Sequence, residues 1–392
     1  MKILILSNAF PKPFNKLMGT YVYDQVVELK KINKDIFVIS PSMYIPKYFN
    51  KFIKKGKICD YMKLGNNYKI NDINVISPKV YQYGKLLRYF PKLEYNFYKI
   101  RIIKFLEEFI RENKIELVYA VGTFIEGQLA YDIYKKTGIP YVVTEHSNTN
   151  IINSTRNKKL YLKIMKNAKK AFFVSKASQK KFLELYNDIS NTEVIVNGFK
   201  SESIKNEIKK PKEKFIITSV GFFEERKGWM NLLESINMVK KETQIQIELW
   251  IIGDGPLNKK MREYISENNL EDICKFTGVI DHSKVLEYMY ASDIFCLVST
   301  NEPLGIVYLE AMSLGIPVIG TKDEGISDII DNGISGFLVE YGNIFELKEL
   351  ILKLIDNPDI LEQIGRNGQR VSLNYSWENN AKQWLDIVNK LN

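Results

Sequence analysis

Short apolar runs alternate with helix-period patterns along almost all of this chain, and that alternation constrains its fold more than any other feature. Strands that alternate with helices build parallel sheets flanked by helices. Before the charged stretch 201–214, strand-like runs fall at 2–6, 36–39, 117–121, 141–144, 171–174 and 193–196. Helical patterns lie between them at about 20–31, 98–113, 126–136, 158–167 and 177–185. A second series follows, with strands at 215–220, 246–252, 274–276, 294–298 and 317–319 and helices at about 230–240, 257–267, 283–290, 306–313 and 345–355. At 392 residues the chain exceeds the size at which one core stops growing, so two domains are expected, with a linker over 197–214. The expected class is therefore α/β: two doubly wound, Rossmann-like domains facing each other across a cleft. Ligands of such sheets lie outside the carboxyl ends of the strands, and a shared ligand would lie between the domains.

Composition excludes several classes. A hydrophobic share of 45% and an aromatic share of 12% suit ordinary large cores. Cys59, Cys274 and Cys296 lie far apart in or near apolar runs and form no C-x-x-C, which reads as buried thiols in a reducing compartment. Two histidines, His146 and His282, are too few for a three-His zinc site, and no Asp-x-Asp pair offers a metal clamp, so no metal is expected. The apolar start turns polar at Ser7-Asn8, too early for a signal-peptide core, and no run reaches the roughly 18 apolar residues of a membrane helix. A cytoplasmic location follows as the expectation, with contact to the cytoplasmic membrane face left open. Charge is split: residues 1–200 carry 35 Lys and Arg against 16 Asp and Glu, net +19, while the remaining 192 carry 21 against 30, net −9, within a total of +10.

The segment Asn301-Glu302-Pro303-Leu304-Gly305-Ile306-Val307-Tyr308-Leu309-Glu310-Ala311-Met312 sets two carboxylates eight residues apart across a strand-to-helix junction. Pro303 disfavours helix at Glu302, and the spacing of Leu304, Val307, Leu309 and Met312 favours helix beyond it. Glu302 then sits on the loop and Glu310 about two turns into the helix. Gly305 lets a ligand approach the helix start at Leu304, Ile306 and Val307, whose unpaired N–H groups and positive dipole end attract phosphate. By itself the pattern also fits a capped surface helix. Upstream, Val220-Gly221-Phe222-Phe223-Glu224-Glu225-Arg226-Lys227-Gly228 joins a strand end to a helix, which places Arg226 and Lys227 to neutralise a diphosphate; either charge alone would read as a solvated loop residue. The next strand ends in Ile252-Gly253-Asp254-Gly255-Pro256, a turn whose glycines allow close backbone approach.

Taken with Gly315-Ile316-Pro317-Val318-Ile319-Gly320-Thr321 and Asp323-Glu324-Gly325-Ile326-Ser327-Asp328, the Glu302…Glu310 segment resembles the donor half of the retaining glycosyltransferase family 4, whose two-domain architecture is called GT-B. The resemblance covers nearly the whole chain. Ser7-Asn8-Ala9-Phe10-Pro11 and Met18-Gly19-Thr20-Tyr21-Val22-Tyr23-Asp24-Gln25 look like the family's first strand, loop and helix, with Gly19 as the loop glycine. His146, in Thr144-Glu145-His146-Ser147, matches the histidine that faces the donor sugar, although a histidine after an apolar strand reads by itself as structural. Phe172-Phe173-Val174-Ser175 and Val196-Asn197-Gly198 match the close of the N-domain, and Gly365-Arg366-Asn367-Gly368 with Tyr375-Ser376-Trp377 matches the lead into a C-terminal helix that packs back on it. Domains of 1–200, joined by 376–392, and 201–375 follow, the first for the acceptor and the second for the donor. One departure stands out: many members carry Arg where this chain has Phe222, and Arg226 beside Lys227 can compensate. The opening residues and Tyr44-Ile45-Pro46 look most like members that build cell-surface polysaccharides.

The resemblance implies a metal-independent, cofactor-free retaining hexosyltransferase that moves a sugar from a UDP- or GDP-sugar to a glycan or lipid-linked acceptor. Glu310 would accept from the ribose hydroxyls and Glu302 from sugar hydroxyls. Lys227, Arg226, Gly221, Gly253 and the helix start would hold the diphosphate, and Gly19 would admit phosphate or acceptor. His146 would orient the sugar; Glu145 beside it is a candidate base, while His282 reads as a surface residue at a helix start. In the first half, Ile45, Tyr48, Phe49, Phe52 and Ile53 recur at helical spacing among Lys47, Lys51, Lys54 and Lys55, a basic amphipathic segment that fits a solvated helix or an anionic membrane surface. A nicotinamide-dependent dehydrogenase lacks its G-x-G-x-x-G after the first strand. A nucleic-acid-binding protein is disfavoured because the positive charge is confined to one half. A binding relative that has lost transfer stays open, with Phe222 as its only hint.

Overall fold

The computed structural model describes residues 1–16, 18–44, 60–61, 63–81, 91–148, 158–200, 208 and 213–391. The chain forms two compact units. The first comprises Met1–Val174, Gln179–Ile195 and Asn380–Asn392, and the second Ser175–Ser178 and Val196–Asn379.

Unit 1 is built on β1 (Ile3–Leu6), β2 (Ile36–Ile39), β4 (Asn67–Ile70), β5 (Ile73–Ile76), β7 (Leu117–Val121), β8 (Tyr141–Glu145), β9 (Lys170–Phe173) and β10 (Thr192–Val194), with the short pair β3 (Ser42–Met43) and β6 (Lys79–Val80) beside them. The sheet order is β10-β9-β8-β7-β1-β2-β5-β4, parallel except for the β4–β5 hairpin. Order reverses between β1 and β7, so loops leaving these two strands diverge and open a crevice at their carboxyl ends. β1 is buried on both faces: Leu4 and Leu6 join one core, Ile3 and Ile5 the other. The second of these cores is closed by helix Thr20–Ile32 and by Ala381, Trp384, Leu385 and Val388 of the C-terminal helix Trp377–Asn389, with Trp384 fully buried against Tyr119.

Unit 2 carries β11 (Lys214–Val220), β12 (Gln246–Ile252), β13 (Cys274–Gly278), β14 (Ile294–Cys296), β15 (Val318–Thr321) and β16 (Phe337–Val339) in the order β13-β12-β11-β14-β15-β16, all parallel. Here the order reverses between β11 and β14. β11 and β12 are buried along nearly their whole length and are mostly apolar, as burial on both faces requires. Helix Trp229–Glu242 packs on helix Ile344–Asp356, and Asn343 caps the latter by accepting the Glu346 N–H at 3.1 Å.

Most expected elements are present within one or two residues. The sequence reading leaves out the β4–β5 hairpin, whose β4 is largely exposed and carries little apolar signal, and the three-residue β16. It also leaves out helix Pro358–Ser372, although Pro358 at its start is a helix-opening signal. The amphipathic segment with Lys47, Lys51, Phe52, Lys54 and Lys55 lies outside the described residues, as does Cys59.

Candidate functional site

In unit 2 the loops after β11 and β14, the two strands flanking the reversal, converge. The loop after β11 makes one short turn, Glu225–Lys227, before Gly228 admits helix Trp229–Glu242. Lys227 Nζ donates to Glu302 Oε2 at 2.5 Å and Arg226 Nη1 to the same oxygen at 3.2 Å. Arg226 also pairs with Glu224 at 2.7 Å. The Lys227 side chain is 12% exposed and that of Glu302 10%, so the pair is shielded and its attraction is stronger than in bulk water. Both cations converge on one buried carboxylate, with Glu224 as the second partner of Arg226, so the ammonium and guanidinium are gathered at the loop tips.

Glu302 is held from behind. Glu324, itself buried, accepts the N–H groups of Asn301 and Glu302, each at 2.9 Å, and Gly325 donates to the Glu302 carbonyl at 3.1 Å. Thr300 N–H donates to the Arg226 carbonyl at 2.7 Å, which ties the two loops together. In the sequence Glu324 stands only as one residue of the segment Asp323–Asp328, with no role of its own. Its capping of the Asn301 loop depends on β15 lying beside β14, a neighbour relation that no local pattern encodes.

Helix Ile306–Ser313 follows. Gly305 has φ of 78° and ψ of 75°, left-handed backbone open to glycine, and Tyr308 is the first residue whose N–H closes back, onto the Gly305 carbonyl. Ile306 and Val307 therefore present the first N–H groups of the helix start, with buried Leu304 just ahead of them. Tyr308, fully buried, donates to the Leu297 carbonyl and pins this helix to β14. Because the helix starts at Ile306, Glu310 is its fifth residue, just over one turn in rather than two. His282 Nε2 lies 2.9 Å from Glu310 Oε1. His282 does start its helix, His282–Tyr290, yet it contacts a candidate ligand group across 28 positions of sequence, which the local reading as a surface residue leaves out. Gly221 and Gly253 end adjacent strands: Gly221 N–H donates to Ile252 and Gly253 N–H to Gly278, both at 3.0 Å. Phe222 is 57% exposed, its carbonyl taken by the Trp229 indole.

Unit 1 presents a different set at its own reversal. Gly19 has φ of 68°, and a Cβ there would fall 1.1 Å from the Ala9 carbonyl oxygen; close packing within the β1 loop is reason enough for glycine. His146 follows β8 with both ring nitrogens buried and unpartnered, its ring 4.8 Å from that of Tyr21. Burial pushes its pKa down to about 4, so the ring is neutral at physiological pH. Glu145 accepts Ser147 N–H at 2.9 Å and the Tyr161 hydroxyl at 3.2 Å, bonds that occupy the carboxylate proposed as a base. Glu126 was not singled out in the sequence. It stands at the start of helix Ile125–Thr137, after β7, and accepts the Asn8 N–H from the loop after β1 at 2.8 Å, bridging the reversal. Burial pushes its pKa up to about 7, against the help of that N–H and with Glu145 opposing its charge.

The comparisons with known proteins agree with this architecture. The family model described as "Glycosyltransferase Family 4" matches residues 18–203, and "Glycosyl transferases group 1" matches residues 200–371. Similar curated proteins include an uncharacterized glycosyltransferase of Methanocaldococcus jannaschii, 28% identical over 87% of this chain and 94% of that protein. Another is a probable sucrose-phosphate synthase of Thermosipho melanesiensis, 28% identical over 84% of this chain and 88% of that one. Among solved structures, HepE of Anabaena in complex with UDP superimposes with a TM-score of 0.73 at 20% identity, covering 100% of both chains. Sucrose-phosphate synthase of Thermosynechococcus elongatus gives 0.77 at 17%, covering 100% of this chain and 99% of that one. The fold and the two matched regions define a GT-B protein. The chain belongs to glycosyltransferase family 4 and is an enzyme of the hexosyltransferase type. Among the described residues no helix is long and apolar enough to cross a membrane.

Proposed function

We propose that the protein transfers a sugar, with retention and without a metal, from a nucleotide-sugar donor to a glycan or lipid-linked acceptor. The observation that carries this reading is the Lys227–Glu302–Arg226 cluster beside the start of helix Ile306–Ser313, at the reversal of the second sheet. A diphosphate leaving group needs positive charge that is already in place, and two cations with a helix start supply it. UDP is the favoured nucleotide, since HepE of Anabaena, which shares the fold, is described in complex with UDP and with UDP-glucose.

A sugar nucleotide is an acetal phosphate. As its C1–O bond breaks, negative charge grows on the β-phosphate and positive charge on the ring. Lys227, Arg226 and the N–H groups of Ile306 and Val307 meet the first; Glu302 accepts from a sugar hydroxyl once the phosphate draws off the cations. Glu310 accepts from the ribose, with His282 fixing its orientation. The acceptor hydroxyl attacks from the face the phosphate leaves, and the phosphate takes its proton, so no protein nucleophile is needed. Neutral His146 is suited to orienting the sugar. We place the donor on unit 2 and the acceptor on unit 1, in a cytoplasmic protein peripheral to an anionic membrane. Cell-surface polysaccharide assembly fits this setting, as the lipopolysaccharide core glycosyltransferase LpsD of Rhizobium meliloti, 26% identical over 47% of this chain, illustrates among relatives.

A panel of UDP-, GDP- and ADP-sugars tested for nucleotide release, with and without EDTA, checks the reading. Release from a UDP-sugar that EDTA leaves unchanged is expected. Absence of release from every donor, with a range of glycan and lipid-linked acceptors, would overturn it.

A further inference from the structure

Three serines form a row across the carboxyl edge of unit 1. Leu6 pairs with Ile39 and Ile39 with Ile76, so the next positions, Ser7, Ser40 and Ser77, stand side by side just past the ends of β1, β2 and β5. The ladder continues through them, with Ser7 N–H donating to Ile39 at 3.2 Å and Ser40 N–H to Ile76 at 2.9 Å. Side chains alternate along a strand, so all three share the face of Ile5, Val38 and Val75. None of the three has any exposed surface, and Ser42 beside them is 1% exposed. The hydroxyls of Ser7, Ser42 and Ser77 are buried without a hydrogen-bond partner.

Into this row reaches Lys12, 1% exposed. Its ammonium lies 3.3 Å from Ser40 Oγ and 3.4 Å from the carbonyls of Asn8 and Phe10, three long contacts with dipoles. No carboxylate pairs with it among the described residues. Lys79, which donates to the carbonyls of Tyr61 and Leu64 at 3.1 and 2.6 Å, adds a second positive charge nearby, and Tyr68 donates to the Pro11 carbonyl at 2.9 Å. Burial, reinforced by Lys79, pushes the Lys12 pKa down to about 8. Buried hydroxyls and ammonium groups are ordinarily satisfied, and water alone would satisfy the hydroxyls without offsetting the charge.

We infer that Lys12 with the hydroxyls of Ser7, Ser42 and Ser77 forms an oxyanion site in unit 1, separate from the Lys227 cluster, that takes a phosphate or carboxylate group. The row has no exposed surface, so the site takes only an ion or the tip of a larger molecule, and takes it when the chain around the row opens locally. Assigning that tip to the acceptor rests on the reading of unit 1 as the acceptor side; the site itself does not.

The test is thermal unfolding of the full chain at constant ionic strength, with chloride replaced by inorganic phosphate in one arm and by glucuronate in the other, no donor present. Wild-type protein is expected to gain several degrees in one arm, and the stronger arm names the group. Lys227→Ala keeps most of that gain, while Lys12→Met, which retains the stem, loses at least half. Should Lys12→Met fail to fold, Ser77→Ala decides, with a reduced gain expected. A wild-type protein indifferent to both anions, or a gain that survives Lys12→Met (or Ser77→Ala in its place), overturns the site. So does a gain abolished by Lys227→Ala alone, which would put the anion on unit 2. None of these readings depends on nucleotide release, so the site and the proposed transfer activity can fail separately.

Discussion

The two units share a doubly wound plan, yet they treat charge at their strand ends in opposite ways. In unit 2 the charged groups at the reversal are paired with each other: Lys227 and Arg226 on Glu302, His282 on Glu310. In unit 1 the corresponding groups are buried with little to balance them, His146 without a partner, Glu126 driven toward neutrality and Lys12 on dipoles alone. On the proposed reading, Lys227 and Arg226 exchange Glu302 for phosphate when a donor arrives. In unit 1 His146 is neutral at pH 7 and Glu126 is partly so, which makes this region respond to pH, while Lys12, at about 8, still carries its charge at neutral pH.

Breaking the pairing in unit 2 has the largest expected effect. Lys227→Ala removes the charge proposed to meet the leaving phosphate, and on that reading transfer should fall by about 10²–10³ in kcat. Glu324→Ala comes next: two N–H groups of the Asn301 loop lose their acceptor, and chemical denaturation should show a loss of about 2–3 kcal/mol together with weaker donor binding.

The pH response of unit 1 is smaller and has a definite sign. His146 falls from 6.5 in the unfolded chain to about 4 when folded, so the unfolded state binds more protons between those values and stability rises with pH there. Its contribution, on the order of 3 kcal/mol above pH 6.5, is lost on acidification, and His146→Phe should flatten that limb in a pH series of melting curves. Glu126 works the other way. Its folded value of about 7 lies above its ordinary 4.5, so the folded state holds the proton longer and stability falls as pH rises between these values. Glu126→Gln keeps an acceptor for Asn8 N–H and should raise the melting temperature at pH 8 while leaving it little changed at pH 4. The smallest effect belongs to the cap remote from both sites: Asn343→Ala should cost about 1 kcal/mol and leave donor affinity alone.

What the sequence disclosed follows from how local each signal is. The strand ends of unit 2, the loop position of Glu302 and the cations at 226–227 were legible because apolar runs, Pro303 and glycines mark them along the chain. In the β4–β5 hairpin β4 is largely exposed, and the buried Ile70, Ile73 and Val75 fall in two four-residue strands around an Asn-Asp turn, too short a stretch to show a comparable period. Glu126 on Asn8, His282 on Glu310, Glu324 under Asn301 and the serine row all arise from strand order and register. Their residue types carry no signal until the sheet brings them together. The reading of Gly19 shows the converse: a motif position was legible, while the reason for its glycine, the Ala9 carbonyl at its back, was not.

The central claim is that the Lys227 cluster is a diphosphate site, and calorimetric titration of UDP into wild type, Lys227→Ala and Glu302→Gln tests it most directly. Binding should weaken at least tenfold in Lys227→Ala with the melting temperature of the free protein little changed, and should strengthen or hold in Glu302→Gln, where the cations no longer share a carboxylate. Equal UDP affinity in wild type and Lys227→Ala would contradict the account.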